Sequence, residues 1–253
     1  MAEAVGARES QGRESQGQRS GESQEQRSGE SGETREQEAG VASPTAFSPF
    51  HRGAPAAIGV PLFIVGSIAL GLNFINFSPV MQVGTPIAVI FAATGLFQVI
   101  SAIWCIGLGE NIVASIFGIF AGFWLSYAVL VLGLLHNWWG ITPAATASKT
   151  VVAADTLATT KTVELFLISW LVVIIALTVT TLRLPLAFTV LFVLVDVSLV
   201  LKLIGTIEGT QIWNTAAGIV VFAFAAIGLL IYLDTMSQAF GAKPVALGKP
   251  IQR

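Results

Sequence analysis

The sequence predicts an all-α, polytopic membrane protein: six transmembrane helices preceded by a disordered polar tail. Three observations predict it. Of 253 residues, 54% are apolar and only 11% charged. The charge is uneven: residues 1–52 hold six Arg and nine Glu, whereas the other 201 hold seven Lys or Arg and six Asp or Glu, too few to clothe a soluble domain of that size. The apolar residues fall in six runs, Ala56–Phe77, Thr85–Gly107, Ile112–His136, Val163–Leu182, Leu184–Ile204 and Ile212–Leu233. Each is close to the ~20 residues that a ~30 Å hydrocarbon layer demands, and a helix satisfies its own backbone there.

Residues 1–50 form a low-complexity tail of Arg, Glu, Ser, Gln and Gly, with RESQG and QRSGES repeats. It has almost nothing apolar to bury and is expected to stay disordered. A regulatory arm is the sharper reading, with Ser10, Ser15, Ser20 and Ser23 as modification candidates. The N-terminus lacks an apolar signal core, so the first membrane helix is expected to serve as its own insertion signal. Residues 51–241 are the six-helix membrane domain and 242–253 a short C-terminal tail.

The first helix opens with Pro55, which suits a first helical turn. Pro61, further in, is expected to tighten or bend that turn. Gly59, Val60, Phe63, Gly66, Ser67 and Leu70 share one face, so Phe63 stands among small neighbours. The uncharged SPVMQV stretch leads to the second helix. That helix holds Gln98, read either as a bond to a neighbouring helix or as the lining of a polar path, and Cys105, read as a small buried hydrophobe. Glu110 follows in a short turn and is expected to face water.

The third helix carries Ala114, Gly118, Gly122 and Ser126 at every fourth position. Gly118 and Gly122 form a GxxxG pair, expected to let helices approach closely. Phe117, Phe120, Phe123 and Trp124 occupy the other side, as core or as a narrowing of a pore. His136, Trp138 and Trp139 read as an interfacial anchor. Gly140 to Lys161 is predicted to be the longest loop between helices, with at most a short interfacial helix. The fifth helix holds Asp196, the one acid placed deep in hydrocarbon. Such a group is costly there, and it is read either as a carboxyl bonded to a neighbouring helix or as a proton-handling residue. Lys202 is expected to snorkel to the headgroups. In the sixth helix Gly218 and Ala225 give a looser seam than the third helix offers.

No Ser/His/Asp set, CxxC, HExxH or P-loop occurs, and the basic residues form no nucleic-acid patch. The sequence therefore predicts no enzyme, metal site or cofactor. With six helices both ends share one side. That side gathers ten basic residues against three (Lys149, Lys161 and Lys202), which predicts cytoplasmic termini.

Five segments carry a resemblance. Ala54-Pro55-Ala56-Ala57-Ile58-Gly59-Val60 is similar to the Asn-Pro-Ala-Pro-Leu-Gly-Leu that opens the acetate transporter family, the succinate–acetate permeases and their fungal ammonia/acetate relatives. Pro55, Ala56 and Gly59 agree, Ile58 and Val60 are conservative, and Ala54 and Ala57 depart. Gln98, the Gly109-Glu110 turn and Phe123-Trp124-Leu125 follow at the family's spacing, though Glu110 replaces an Asn. Trp170 with Thr181-Leu182-Arg183 matches, as does the spacing up to Gly205. Asp234 with Phe240-Gly241 matches the family's acid and Phe-Gly turn. Asp196 departs from an uncharged residue. The resemblance implies passage of acetate or related small carboxylates across a lipid bilayer, often coupled to protons, and a homo-oligomer, typically a hexamer with one path per subunit. It implies the cell membrane as location and a constriction at Phe63, Phe120 and Val195, with Phe120 where Tyr is common. The broken start of the first helix is expected to offer free N–H groups to an anion near Gly59. A passive channel of the same fold, or a membrane scaffold whose tail binds a partner, stays open beside proton-coupled transport.

Overall fold

The computed structural model describes residues 53–77, 86–141 and 147–252. The polar tail and the SPVMQV connection lie outside the described residues. Six helices are long and apolar enough to cross a membrane among them. They are α1 (Ala56–Phe74), α2 (Val89–Gly107), α3 (Asn111–Leu135), α4 (Lys149–Thr181), α5 (Leu186–Glu208) and α6 (Gln211–Ala239). α1 packs against both α6 and α2. α5 lies between α6 and α4, and α3 pairs with α2.

Pro55 precedes α1 with φ −56°, and Pro61 sits inside it without ending it. A proline so near a helix start removes one intrahelical donor yet keeps a helical φ. α2 opens with a π-helical stretch, Val89–Gly95. Its wider turn places Thr94, fully buried, against α1, where the hydroxyl donates to the Leu62 carbonyl at 2.9 Å. α5 ends at Gly209 with φ 64°, a left-handed stop that glycine adopts without a Cβ clash.

Two expectations about packing are corrected. The predicted loop from Gly140 to Lys161 is in its second half helix: α4 starts at Lys149, capped by Ser148, whose Oγ accepts from the Val151 N–H at 3.4 Å. Its polar first turns are further held by Thr159, donating to the Ile141 carbonyl at 3.0 Å, and by the Lys161–Glu164 ion pair at 2.7 Å. The sixth-helix seam is the second, and the GxxxG pair offers the comparison. Gly118 is exposed, and a Cβ there would come no nearer than 3.9 Å to Ala102, while one at Gly122 would lie 3.1 Å from the Trp170 ring. α1 and α6 also approach closely: a Cβ on Gly218 would lie 3.0 Å from the Gly71 carbonyl oxygen. The sixth-helix seam read as loose is therefore tight, because its partner glycine comes from α1.

Cys105 is fully buried beside Ala102, Ala114 and Phe117, as a small hydrophobe. Trp138 and Trp139 are exposed at the end of α3, with His136 stacked on Trp138. The C-terminal segment is tied back onto the bundle. Leu247 accepts from the Ala187 N–H, Leu182 accepts from the N–H groups of Ile251 and Gln252, and Asp234 Oδ1 accepts from the Val245 N–H at 2.8 Å.

Candidate functional site

Among the described residues, two cavities in the interior of the bundle meet at one pair of rings. The larger, about 330 Å³, lies among the second half of α1, the second half of α3, the middle of α4, the second half of α5 and the middle of α6. The smaller, about 180 Å³, lies among the start of α1, the α2–α3 turn, the start of α5 and the end of α6. Phe63 and Phe120 line both. Their ring centroids are 4.9 Å apart and their planes cross at 65°, an edge-to-face contact that attracts through the ring quadrupoles.

Helical periodicity explains which side chains converge there. On α3, Phe120, Phe123, Trp124, Tyr127 and Val131 fall at positions i, i+3, i+4, i+7 and i+11 of one helix face and line the larger cavity. On α5, Val195, Ser198, Leu199, Lys202 and Thr206 do the same. Phe63 is backed by Ser67, whose hydroxyl donates to the Phe63 carbonyl at 2.7 Å. Around the ring pair stand Phe224, 5.8 Å from Phe63, and Phe192, 5.5 Å from Phe120.

The structure brings together Phe63, Phe120 and Val195, all buried, with Val195 on the larger-cavity side. Ala56, Val60 and Gln98 line the smaller cavity. Gln98 is 1% exposed, and its Oε1 has no hydrogen-bond partner among the described residues. Pro55, Ile58 and Gly59 do not line either cavity. The start of α1 is not an open set of donors: the Ile58 and Gly59 N–H groups both donate to the Pro55 carbonyl, at 3.0 and 2.9 Å. Gly59 instead makes room for Phe117, whose ring atoms would lie 2.6 and 2.9 Å from a Cβ there.

Asp196 also lies elsewhere. It lines neither cavity and turns toward α4, where Oδ2 accepts from the Thr178 hydroxyl at 2.7 Å while Oδ1 has no partner among the described residues. One residue from Val195 is about 100° around a helix, enough to carry it off the cavity face. Lys202, expected to snorkel outward, points into the larger cavity, with Nζ 2.9 Å from Asn214 Oδ1 and 4.9 Å from the Phe74 ring centroid. Glu110 is exposed, as expected, and it also lines the smaller cavity. Sequence reasoning missed Phe224, Tyr127 and Lys202 as cavity residues. The three- and four-residue spacing from Val195 could have found Lys202, and that from Phe123 and Trp124 could have found Tyr127.

Six membrane-length helices enclosing two cavities, one toward each end of the bundle, define an integral α-helical membrane protein with a ring-lined interior. Within that class the chain belongs to the GPR1/FUN34/yaaH family, which it matches over residues 39–242. It is 25% identical over 154 residues to acetate permease A of Emericella nidulans, a match covering 61% of this chain and 49% of that one. The match thus spans about half the length of that curated relative. Its fold is similar to that of the bacterial acetate channel SatP, with a TM-score of 0.63 at 20% identity, over 77% of this chain and 99% of that one.

Proposed function

We propose that this chain passes acetate and related small carboxylates across a membrane, through a path in each subunit that narrows at Phe63, Phe120 and Val195. One observation carries the reading: two cavities, set toward opposite ends of the bundle, share the Phe63 and Phe120 rings as their only common lining residues. A free carboxylate incurs a large desolvation penalty in so apolar a neck, whereas a protonated acid incurs far less. Crossing as the neutral acid would carry one proton per solute and would couple flux to a proton gradient. The names of the relatives, an acetate permease and an acetate channel, agree with this cargo.

Asp196 stands off both cavities, so no side-chain carboxyl is called on to relay that proton; the second reading is a passive channel of the same fold that passes the carboxylate anion. Uptake of acetate into liposomes against its gradient, driven by an imposed proton gradient, separates the two. We further infer a homo-oligomer, a hexamer by family resemblance, in the cell membrane with cytoplasmic termini. The exposed Gly118 offers a close-contact surface for a neighbouring copy.

Labelled acetate uptake into proteoliposomes tests the path. Phe63→Ala and Phe120→Ala are each expected to widen the neck and admit larger monocarboxylates that the parent chain excludes, with about tenfold faster entry, equivalent to about 1.4 kcal/mol of barrier. Unchanged rate and selectivity in both variants would place the path elsewhere.

A further inference from the structure

Lys202 presents a cation inside an apolar cavity without a matching anion among the described residues. Its ammonium carries three donors. One reaches the neutral amide of Asn214 at 2.9 Å, and the face of Phe74 lies 4.9 Å away. These partners fix the head in place but leave its charge uncompensated. Among the described residues no acid pairs with it: Glu164 bonds Lys161, Asp196 accepts from Thr178, and Glu208 accepts from the Trp213 indole N–H at 2.6 Å. A cation in a low-dielectric surround without a partner is costly, and such a residue in a membrane domain marks a solute route more often than a scaffold.

The rest of the wall narrows what the site would accept. Ser198, Thr206 and Thr159 line the same cavity, but their hydroxyls donate to the carbonyls of Ala217, Lys202 and Ile141. Trp124 lies deeper, beside Phe63 at 6.2 Å between ring centroids, and its buried Nε1–H has no acceptor among the described residues. The Lys202 ammonium and the Trp124 indole N–H thus border one cavity, the charged donor near its outer end and the neutral one beside the ring pair. From Lys202 back to Val195 is seven residues, two helical turns or about 10 Å, so the cation stands on the same helix face as the constriction and well short of it.

We propose that Lys202, held by Asn214 and Phe74, binds the carboxylate of a small monocarboxylate in the larger cavity before the solute reaches Phe63. This rests on the transport reading above and adds a binding residue to it. An ammonium–carboxylate contact selects a charged acid over its neutral amide, since acetamide can accept the hydrogen bond but brings no charge.

The test uses the full chain, purified in detergent and then reconstituted. Binding of 13C-carboxyl acetate is followed by saturation-transfer NMR in detergent, and uptake of labelled acetate and acetamide is measured in liposomes. Lys202→Met is expected to weaken acetate binding and to raise KM about tenfold or more, about 1.4 kcal/mol, while leaving the maximal rate within about threefold and acetamide uptake unchanged. Asn214→Asp is the second variant. It sets a resident carboxylate where the Asn214 amide now holds the ammonium, and it is expected to raise the acetate KM similarly with Lys202 intact, so it decides the matter should Lys202→Met fail to fold. Parent-level binding and KM in the variants that fold would overturn the assignment. Acetate binding that is lost on Lys202→Met, in a parent chain that shows no flux, would uphold the site and overturn the transport reading instead.

Discussion

The two cavities are divided by the same two rings, yet their polar groups differ in kind. The larger is bordered by the Lys202 ammonium and the unpartnered Trp124 indole N–H, both donors. The smaller is bordered by the Glu110 carboxylate and the unpartnered Gln98 carbonyl oxygen, both acceptors. A carboxylate anion is attracted by the first set and repelled by the second, whereas a protonated acid can donate to the second. The difference teaches that the neck need not be the only selective element. The chamber on one side suits the charged form of a small acid, and the chamber on the other suits its neutral form.

The strongest way to break the comparison is to move the wall that both chambers share. Gly66 follows Phe63 by one turn of α1, and a Cβ there would lie 2.8 and 2.9 Å from Cγ2 and Cβ of Thr94. Thr94 is fully buried in the π-helical start of α2 and cannot swing away. Gly66→Ala is expected to push α1 from α2, strain the Thr94–Leu62 hydrogen bond and destabilise the fold by about 2–3 kcal/mol. Thermal unfolding in detergent measures it. Adding Thr94→Ala should recover part of the loss, because the two sites are in contact and their effects do not add.

A smaller change sharpens the contrast in the lower-volume chamber. Gln98 has a buried oxygen with no partner among the described residues, and an unsatisfied buried acceptor costs about 1–3 kcal/mol. Gln98→Leu is close in shape and removes that penalty. It is expected to raise the melting temperature by about 2 °C or more while lowering acetate uptake several-fold, if the oxygen serves the protonated solute. Unchanged uptake would reduce Gln98 to a packing residue.

Much of this architecture was legible in the sequence, for physical reasons that also mark where legibility stopped. Apolar length alone gave six spans, because hydrocarbon thickness leaves few alternatives. The start of α4 was not readable from hydropathy. Its first turns are Ala- and Thr-rich and polar, and they are held by the Ser148 cap and by Thr159 reaching Ile141. The meeting of Phe63 and Phe120 followed from family spacing, and the structure sets their rings in contact. The surroundings of Lys202 were hidden because its partners come from other helices: Asn214 from α6 and Phe74 from α1. Snorkelling is a rule about a side chain alone, and tertiary partners override it. The Gly118–Gly122 repeat was a sound motif, but no periodicity says whether a small-residue stripe faces its own bundle or another copy.

The gentlest test concerns Glu110, at the α2–α3 turn. Its carboxylate is exposed to solvent, so its field is screened over about 10 Å at 0.1 M salt. It can act on the rate at which anions reach the smaller chamber more than on how tightly they are held. Glu110→Gln removes the repulsion without changing the shape of the turn. Acetate flux entering from that side, measured in oriented vesicles, is expected to rise about twofold at low ionic strength and to converge with the parent chain as salt is added. Flux entering from the Lys202 side should be unmoved. A salt-independent change, or an equal change in both directions, would mean that the two chambers do not differ in the charge they present to the solute.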